Sequence, residues 1–335
     1  MNNAVTTLPG MDVIRHRTVR VNGIDLHIAE AGDGPVVLLL HGFPESSYSW
    51  RHQLPVLAEA GFEAVAPDLR GYGRSDAPDT RGYSLRDNLA DLVGLLDVLG
   101  APTAAVVGHD QGAVIAWAAA QLRPDRFTAL VALGVPYLPR PPRPLPQLLR
   151  ERNPDKFNVV SYFQQPGVAE AELDADVAAT LRKTLFALSG QAPPDLVPAW
   201  LLDTPDGSGF LDPLPDPGPP SRWSPWLTDA EFDEYTREFE RTGFTGAIRR
   251  YRAFEHDWSD LPEVGVAQVT QPVLYIAGEL DSAYRFGSLD PMRAKAPGLR
   301  EIVLLPGCGH WTQQERPRQV NEHLVAFLRA VGEAG

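Results

Sequence analysis

The sequence predicts an α/β fold, with a mostly parallel central sheet flanked by helices and an inserted helical domain. In the first and last parts of the chain, apolar runs of strand length alternate with helical segments. Strands and helices that alternate in this way form βαβ units and a parallel sheet. Between Pro136 and Pro272 the alternation stops. A crossover needs only a dozen or more residues, so this stretch predicts an insert.

The composition is that of an ordinary globular protein and excludes several kinds of partner. The chain has 335 residues, of which 44% are hydrophobic and 22% charged. Its formal net charge of −13 argues against nucleic acid or a membrane surface as a partner. The single cysteine, Cys308, rules out an internal disulfide and fits a reducing compartment. Residues 1–10 show no targeting segment. We therefore expect a cytoplasmic protein.

Turn and cap residues set the bounds of the elements in the first part of the chain. Asn22-Gly23 separates two alternating runs, which is a strong signal for a β-hairpin at a sheet edge. Ser84, with Asp87 at the capping-box position, begins a helix that Gly100 ends. The predicted strands are 13–21, 24–30, 35–40, 62–66, 103–107 and 127–135, and the predicted helices are 50–60, 85–99 and 111–122.

The insert is predicted to be a helical cap over the carboxyl ends of the strands, where open α/β sheets bind ligands. The proline-rich stretch 139–146 does not suit an ordinary helix or a central strand. A second stretch rich in proline and glycine, 205–225, lies among the helices of the insert. Helices are predicted at 174–188, 228–241 and 245–255, and the core resumes with strands 272–277 and 301–305 and helix 318–331. The predicted division is a core of residues 1–136 and 259–335 and a cap of residues 137–258.

One stretch of the core has the layout of a nucleophile elbow. An apolar strand leads through Gly108-His109-Asp110-Gln111-Gly112 into an alanine-rich helix. Such a sharp turn raises one side chain above a parallel sheet, and that side chain is usually serine. Here it is Asp110. Aspartate is also a favoured N-cap residue, but the flanking glycines favour the interpretation as nucleophile.

Two loops that follow later strands offer partners for Asp110. His310 lies in a glycine-rich loop after the last strand, and Asp281 follows the strand before it. The order Asp110, Asp281, His310 is the nucleophile–acid–histidine order of α/β-hydrolases. Glu279 and Asp290 are alternatives to Asp281 for orienting the histidine. The backbone N–H groups of Phe43 and Gln111 are the candidate oxyanion hole.

A carboxylate at the elbow suits a different reaction from that of serine. Carboxylates attack carbonyl groups poorly, but they can displace a leaving group from a saturated carbon and so form an alkyl-enzyme ester. Water activated by His310 would then attack the carboxyl carbon of Asp110, with the oxyanion hole stabilising the charge. Substrates of this kind are epoxides and carbon–halogen compounds.

From about Val19 to Leu328 the chain resembles the epoxide hydrolases of the α/β-hydrolase fold. The matching motifs are residues 41–46, 70–75, 108–110 and 309–313, and two cap segments, 161–167 and 235–246, the second followed by Tyr251-Arg252. The resemblance implies Asp110 as nucleophile, His310 as base and Asp281 as its partner. It also implies Tyr162 and Tyr235 as acids that hydrogen-bond the epoxide oxygen. Trp311, beside the base, is expected to pack or to line the pocket.

The resemblance implies no cofactor and no metal, with a small epoxide and water as reactants and a monomer or homodimer as the working form. Relatives usually carry tryptophan after the nucleophile, where this chain has Gln111. A dehalogenase is the main alternative, but it needs halide-binding donors, which Gln111 and Phe43 do not supply. A catalytically silent ligand receptor of the same fold is the other alternative.

Overall fold

A computed structural model describes residues 13–78, 82–285 and 288–333, except for the side chains of residues 201, 202 and 285. Residues 1–10, for which no targeting segment is expected, lie outside this part. Eight strands form one sheet in the order β1-β2-β4-β3-β5-β6-β7-β8. They are β1 Arg15–Val21, β2 Ile24–Ala31, β3 Val36–Leu40, β4 Glu63–Pro67, β5 Ala104–His109, β6 Phe127–Leu133, β7 Val273–Gly278 and β8 Leu299–Leu305.

The helices lie between and after these strands. In the first part of the chain, a 3-10 turn at Ser47–Trp50 precedes α1 Leu54–Glu59, α2 Leu85–Leu99 and α3 Gln111–Leu122. Between β6 and β7 lie α4 Leu145–Arg152, α5 Val159–Tyr162, α6 Val168–Leu173, α7 Val177–Ala187, α8 Leu196–Leu202, α9 Asp229–Thr242, α10 Thr245–Arg252 and α11 Phe254–Asp260. The last four are α12 Ser282–Arg285, α13 Asp290–Lys295, α14 Thr312–Glu315 and α15 Pro317–Gly332.

The sheet confirms the predicted fold class. β1 and β2 form an antiparallel hairpin at one edge, and β2 pairs antiparallel with β4. The turn between β1 and β2 places Asn22 at a φ of 45° and Gly23 at 79°, which is why Asn-Gly suits it. From β4 to β8 every neighbouring pair is parallel. The carboxyl ends of six adjacent strands therefore meet at one edge.

Both faces of the sheet are buried. Leu38 and Leu40 of β3 face one apolar cluster, which includes side chains of α2 and α3. Val37 and Leu39 of the same strand face a second cluster, which includes side chains of α1 and α15. A strand that is buried on both sides needs a continuous apolar run, and β3 has one.

In the described part of the segment between β6 and β7, the regular secondary structure consists of helices and one isolated β-bridge, joined by turns and loops. Helix α4 is a correction, because it begins inside the proline-rich stretch for which no ordinary helix was expected. Pro146 lies in its first turn, where a missing N–H breaks no intrahelical bond. Helix α11 runs past Trp258 to Asp260. The division into core and cap stays a prediction. No helix in the described ranges combines the length and apolar character needed to cross a membrane.

Candidate active site

Asp110 lies in the sharp turn between β5 and α3. Its φ of 51° and ψ of −118° are a backbone conformation that residues other than glycine rarely adopt. Close packing around the turn requires glycine. A Cβ on Gly108 would lie 2.2 Å from the Gly112 carbonyl oxygen, and one on Gly42 would lie 2.3 Å from the Asp110 Cβ. The sequence pattern of an elbow thus corresponds to an actual elbow.

A backbone donor contacts the Asp110 carboxylate. The N–H of Phe43 donates to Asp110 Oδ1 at 2.9 Å. Helix α3 begins at Gln111, and the first N–H groups of a helix have no intrahelical acceptor. Of the two predicted oxyanion donors, Phe43 therefore contacts the carboxylate, and the start of the helix leaves the N–H of Gln111 without an intrahelical partner.

The structure brings His310 between the two predicted aspartates. His310 Nδ1 is 3.0 Å from Asp281 Oδ1, and His310 Nε2 is 3.7 Å from Asp110 Oδ2. The alternatives to Asp281 lie elsewhere: Glu279 accepts the N–H of Gly307, and Asp290 is 3.6 Å from Arg293. Of the three carboxylates considered for orienting the histidine, Asp281 is therefore the one that contacts the imidazole.

The pKa values of this trio follow from its geometry. Burial alone would raise the pKa of Asp110, but the adjacent imidazole of His310 and the Phe43 N–H outweigh burial and hold that pKa below its usual value. Burial alone would lower the pKa of His310, whereas the carboxylates of Asp281 and Asp110 raise it well above its usual value. Asp110 is thus an ionised carboxylate beside a readily protonated base.

A second buried network supports the loop that carries His310. Glu45 Oε2 is 2.7 Å from His109 Nδ1, and His109 Nε2 is 2.8 Å from the His310 carbonyl oxygen. The other Glu45 oxygen accepts the side-chain amides of Gln313 at 3.0 Å and Gln314 at 2.9 Å. Burial alone would raise the pKa of Glu45, but the imidazole of His109 outweighs burial and lowers it. His109 therefore links the elbow to the histidine loop.

The two tyrosines expected from the resemblance have their hydroxyl groups on other partners. Tyr162 donates to Glu172 Oε2 of α6 at 2.7 Å. Tyr235 is fully buried, and its hydroxyl donates to Gln314 Oε1 at 3.0 Å. Neither hydroxyl bonds to Asp110 or to Gln111 in this structure.

Tyr251 is a further tyrosine of the insert, and the charge of Asp110 affects the pKa of its phenol. It lies in α10, and its ring packs edge-on against Phe43 at 5.8 Å and Phe163 at 5.0 Å. Burial and the negative charge of Asp110 raise its pKa well above the usual value, and a hydrogen bond from the Gln111 side chain opposes that rise. Tyr251 follows the second cap motif in the sequence, for which only Tyr235 was expected as an acid.

A largely apolar cavity of about 290 Å³ lies beside the elbow. It is bounded by Gln111 and Val114 from α3 and by Tyr251 and Trp258 from α10 and α11. Trp311, which was expected to pack or to line the pocket, is fully buried and packs, and it is not among the residues that line this cavity. Its indole N–H donates to the Leu185 carbonyl at 2.8 Å, and its ring packs edge-on against His310 at 4.9 Å. Apolar cavities with a few polar groups are typical of small-molecule sites.

No cluster of three histidine, cysteine, aspartate or glutamate side chains suited to a metal ion occurs in the part of the chain that the structure describes. The chemistry that the site can perform with its own groups is nucleophilic attack by Asp110, proton transfer by His310 and hydrogen bonding by Tyr251.

Comparison with known proteins agrees with the fold. Residues 35–317 match the model of the alpha/beta hydrolase fold family. Epoxide hydrolase A of Mycobacterium tuberculosis is 44% identical, over 93% of this chain and 96% of its own length. Epoxide hydrolase 3 of Siraitia grosvenorii is 41% identical, over 95% of this chain and 99% of its own.

Solved structures give the same result. An epoxide hydrolase from an endophytic Streptomyces superposes with a TM-score of 0.91 at 44% identity, covering 96% of this chain and 97% of that one. Epoxide Hydrolase A from Mycobacterium thermoresistibile gives 0.89 at 44% identity, covering 94% and 98%. The fold and the elbow define an α/β-hydrolase. Within that class, the chain belongs to the epoxide hydrolase family.

Proposed function

We propose that this enzyme opens an epoxide to a vicinal diol through a covalent ester on Asp110. The observation that carries the proposal is the position of the Asp110 carboxylate. One oxygen accepts the Phe43 N–H at 2.9 Å, and the other lies 3.7 Å from His310 Nε2. A carboxylate held in an oxyanion hole beside a base can serve first as nucleophile and then as the acyl group of an ester.

In the first step, Asp110 Oδ2, the oxygen that Phe43 leaves free, attacks a ring carbon. A carbon–oxygen bond forms as the ring carbon–oxygen bond breaks, and the ring oxygen takes the electron pair. An epoxide oxygen leaves as a strongly basic alkoxide, so the step needs a hydrogen-bond donor opposite the nucleophile. The low pKa of Asp110 supports this role, because the carboxylate is ionised at neutral pH.

Tyr251 is the donor that the geometry favours. Its ring contacts Phe43 of the oxyanion loop, and the Asp110 charge reaches its phenol. Tyr162 and Tyr235, the donors expected from the resemblance, donate to Glu172 and Gln314 instead. In this mechanism the phenol of Tyr251 gives its proton to the alkoxide. After the second step it regains the water proton that would otherwise remain on the Asp110 carboxyl, which returns Asp110 to the carboxylate.

In the second step, His310 Nε2 removes a proton from water, whose oxygen attacks the carboxyl carbon of Asp110. The Phe43 and Gln111 N–H groups hold the tetrahedral oxyanion. Collapse of this intermediate breaks the bond to the alkyl oxygen, which takes the proton from the imidazolium and leaves as the diol. The Asp281 carboxylate, 3.0 Å from Nδ1, stabilises the imidazolium while it exists.

The experiment that tests the mechanism combines styrene oxide with the His310→Gln variant and intact-protein mass spectrometry. Removal of the base should leave the ester unhydrolysed, so the protein mass should rise by the mass of the epoxide. Asp110→Asn should show neither the mass increase nor diol formation. Hydrolysis by His310→Gln at the wild-type rate would overturn the assignment of the base. Halide release from a bromoalkane without diol formation would indicate a dehalogenase.

We also infer a reducing compartment, most simply the cytoplasm, and a monomer or homodimer as the working form. Cys308 is buried and free, with its pKa raised by burial, which suits a structural thiol. Cell fractionation and size-exclusion chromatography test the two statements separately.

A further inference from the structure

Gln111 places a polar side chain at the edge of the apolar cavity, directly after the nucleophile. It is the first residue of α3, is 9% exposed and lines the cavity. Its Oε1 is buried and has no hydrogen-bond partner in the part of the chain that the structure describes. A buried amide oxygen without a donor is unfavourable. A ligand that donates a hydrogen bond to this atom would therefore be bound more tightly.

The Gln111 side chain also acts on the phenol of Tyr251, where a hydrogen bond from it is one of the effects that lower the pKa of that phenol. A donor has this effect, so the amide nitrogen rather than Oε1 acts on Tyr251. Oε1 stays available to a ligand.

The other polar side chains at the cavity have partners for their charge. Arg250 Nη1 is 2.6 Å from Asp257 Oδ2, and its guanidinium lies over the Phe254 ring at 5.2 Å. Arg250 Nε lacks a partner among the described residues, but it belongs to a cation that is already paired and stacked. Gln111 Oε1 has no such compensation, and it belongs to the residue that follows Asp110.

We propose that Gln111 selects epoxides that carry a hydroxyl group on the carbon next to the ring, with Oε1 accepting a hydrogen bond from that hydroxyl. The inference rests on the proposed function and deepens it by naming the substrate class, epoxy alcohols. An epoxide oxygen can only accept hydrogen bonds, and the proposed mechanism already pairs it with Tyr251. A plain epoxide therefore leaves Oε1 unpaired, whereas an adjacent hydroxyl supplies the missing donor.

The test compares two epoxides that differ by one hydroxyl group, 3-phenylglycidol and trans-1-phenylpropene oxide. The quantity measured is the ratio of their kcat/KM values, first for the wild type and then for Gln111→Leu and Gln111→Met. We expect the wild type to favour the alcohol, and the ratio to fall about tenfold in both variants, as loss of one buried hydrogen bond predicts. Comparing this ratio between the wild type and each variant cancels the intrinsic reactivity of the two epoxides.

Gln121→Leu is the matched control. Gln121 also lies on α3, but its amide donates to Tyr137 and to the Ala267 carbonyl, away from the cavity lining. This variant should keep the wild-type ratio. A wild type that does not favour the alcohol, or Gln111 variants that lower both kcat/KM values equally, would overturn the inference while epoxide hydrolysis stands. If the wild type hydrolyses neither epoxide, the proposed function itself fails.

Discussion

At the scale of single residues, two carboxylates control one imidazole. Asp281 and Asp110 both raise the pKa of His310 well above its usual value, against the opposing effect of burial. In the folded protein the protonated form is therefore favoured. The protonated imidazole stabilises the folded protein below about pH 6.5, the ordinary pKa of histidine. This stabilisation is lost as the pH rises through the raised pKa of His310 in the folded protein.

The proposed ester changes this balance, because it removes the charge of Asp110. We predict that the pKa of His310 is lower in the ester than in the free enzyme, so that the neutral base is available when water must be activated. Single-turnover hydrolysis of the ester should speed up as the pH rises and then level off, with a midpoint below the His310 pKa found by NMR in the free enzyme. A midpoint equal to or above that value would contradict the prediction.

Among the cap tyrosines, Tyr251 should matter most for ring opening. We predict that Tyr251→Phe lowers the rate of ester formation about 10²-fold or more, as removal of one transition-state donor does elsewhere. Rapid-quench measurement of the first turnover on styrene oxide gives that rate.

Tyr162→Phe and Tyr235→Phe are the matched controls, since each loses a hydroxyl that donates to Glu172 or Gln314 rather than into the cavity. Both should form the ester within a few-fold of the wild-type rate. A large loss in either one, with Tyr251→Phe unaffected, would return the ring-opening role to the tyrosines expected from the resemblance.

At the scale of elements, the strand–turn–helix unit around Asp110 depends on close backbone packing. A Cβ on Gly112 would lie 2.1 Å from the Leu40 carbonyl oxygen and 2.6 Å from that of His41. Backbone atoms at the centre of a sheet cannot move aside cheaply. This packing of α3 against the end of β3 brings the elbow next to the loop that carries Phe43.

We therefore predict that Gly112→Ala lowers the free energy of unfolding by at least about 2 kcal/mol, as overpacking of a core does. Denaturant unfolding followed by circular dichroism measures the change. Gly332→Ala is the matched control, because a Cβ there would meet nothing within 4 Å. It should change stability by less than about 1 kcal/mol, in keeping with the helix propensities of the two residues. Equal effects at the two positions would contradict this account.

At the scale of the whole molecule, α9 joins the segment between β6 and β7 to two segments that follow β3 and β8. Arg51 Nε donates to Glu231 Oε1 at 2.8 Å, and Tyr235 donates to Gln314 at 3.0 Å. Glu238, also on α9, is buried near Asp68, with one oxygen unpartnered among the described residues. Burial and the charge of Asp68 raise the pKa of Glu238 to about 7, with Glu234 adding to the rise and Ser46 and Arg74 opposing it.

The buried carboxyl group of Glu238 should make the free energy of unfolding depend on pH. Because the pKa of Glu238 in the folded protein exceeds its ordinary value, its contribution to stability is present below about pH 4.5 and is lost as the pH rises through about 7. We predict that Glu238→Gln, which cannot ionise, raises Tm relative to the wild type by a few degrees at pH 8 and by little at pH 5. Differential scanning calorimetry measures both.

Glu240→Gln, a change at an exposed position of the same helix, is the control and should leave Tm within a degree of the wild type at both pH values. A Glu238→Gln variant whose Tm difference from the wild type is the same at pH 5 and pH 8 would contradict the titration of Glu238.

Local signals predicted most of the fold because they agreed with one another. The helix from Leu85 to Leu99 has the predicted bounds, with the Ser84–Asp87 capping box at its start and a left-handed Gly100 at its end. The bounds of α3 were likewise predicted. Helix α4 was missed because a proline in the first turn looks, in sequence, like a proline that breaks a helix.

The sequence by itself determined the residue at the elbow and the loops that would meet it. Asp110, Asp281 and His310 each follow a strand of one parallel sheet, so the sheet brings their loops to the same edge whatever packs above it.

Only the tertiary structure decided which partners the three cap tyrosines contact. Tyr162, Tyr235 and Tyr251 all lie on helices in sequence contexts that resemble one family. The direction of a side chain on a helix depends on how the helix is rotated against its neighbours, and distant contacts set that rotation. The hydroxyl groups of Tyr162 and Tyr235 donate to Glu172 and Gln314. Tyr251 instead packs against Phe43, and Asp110 and Gln111 affect the pKa of its phenol.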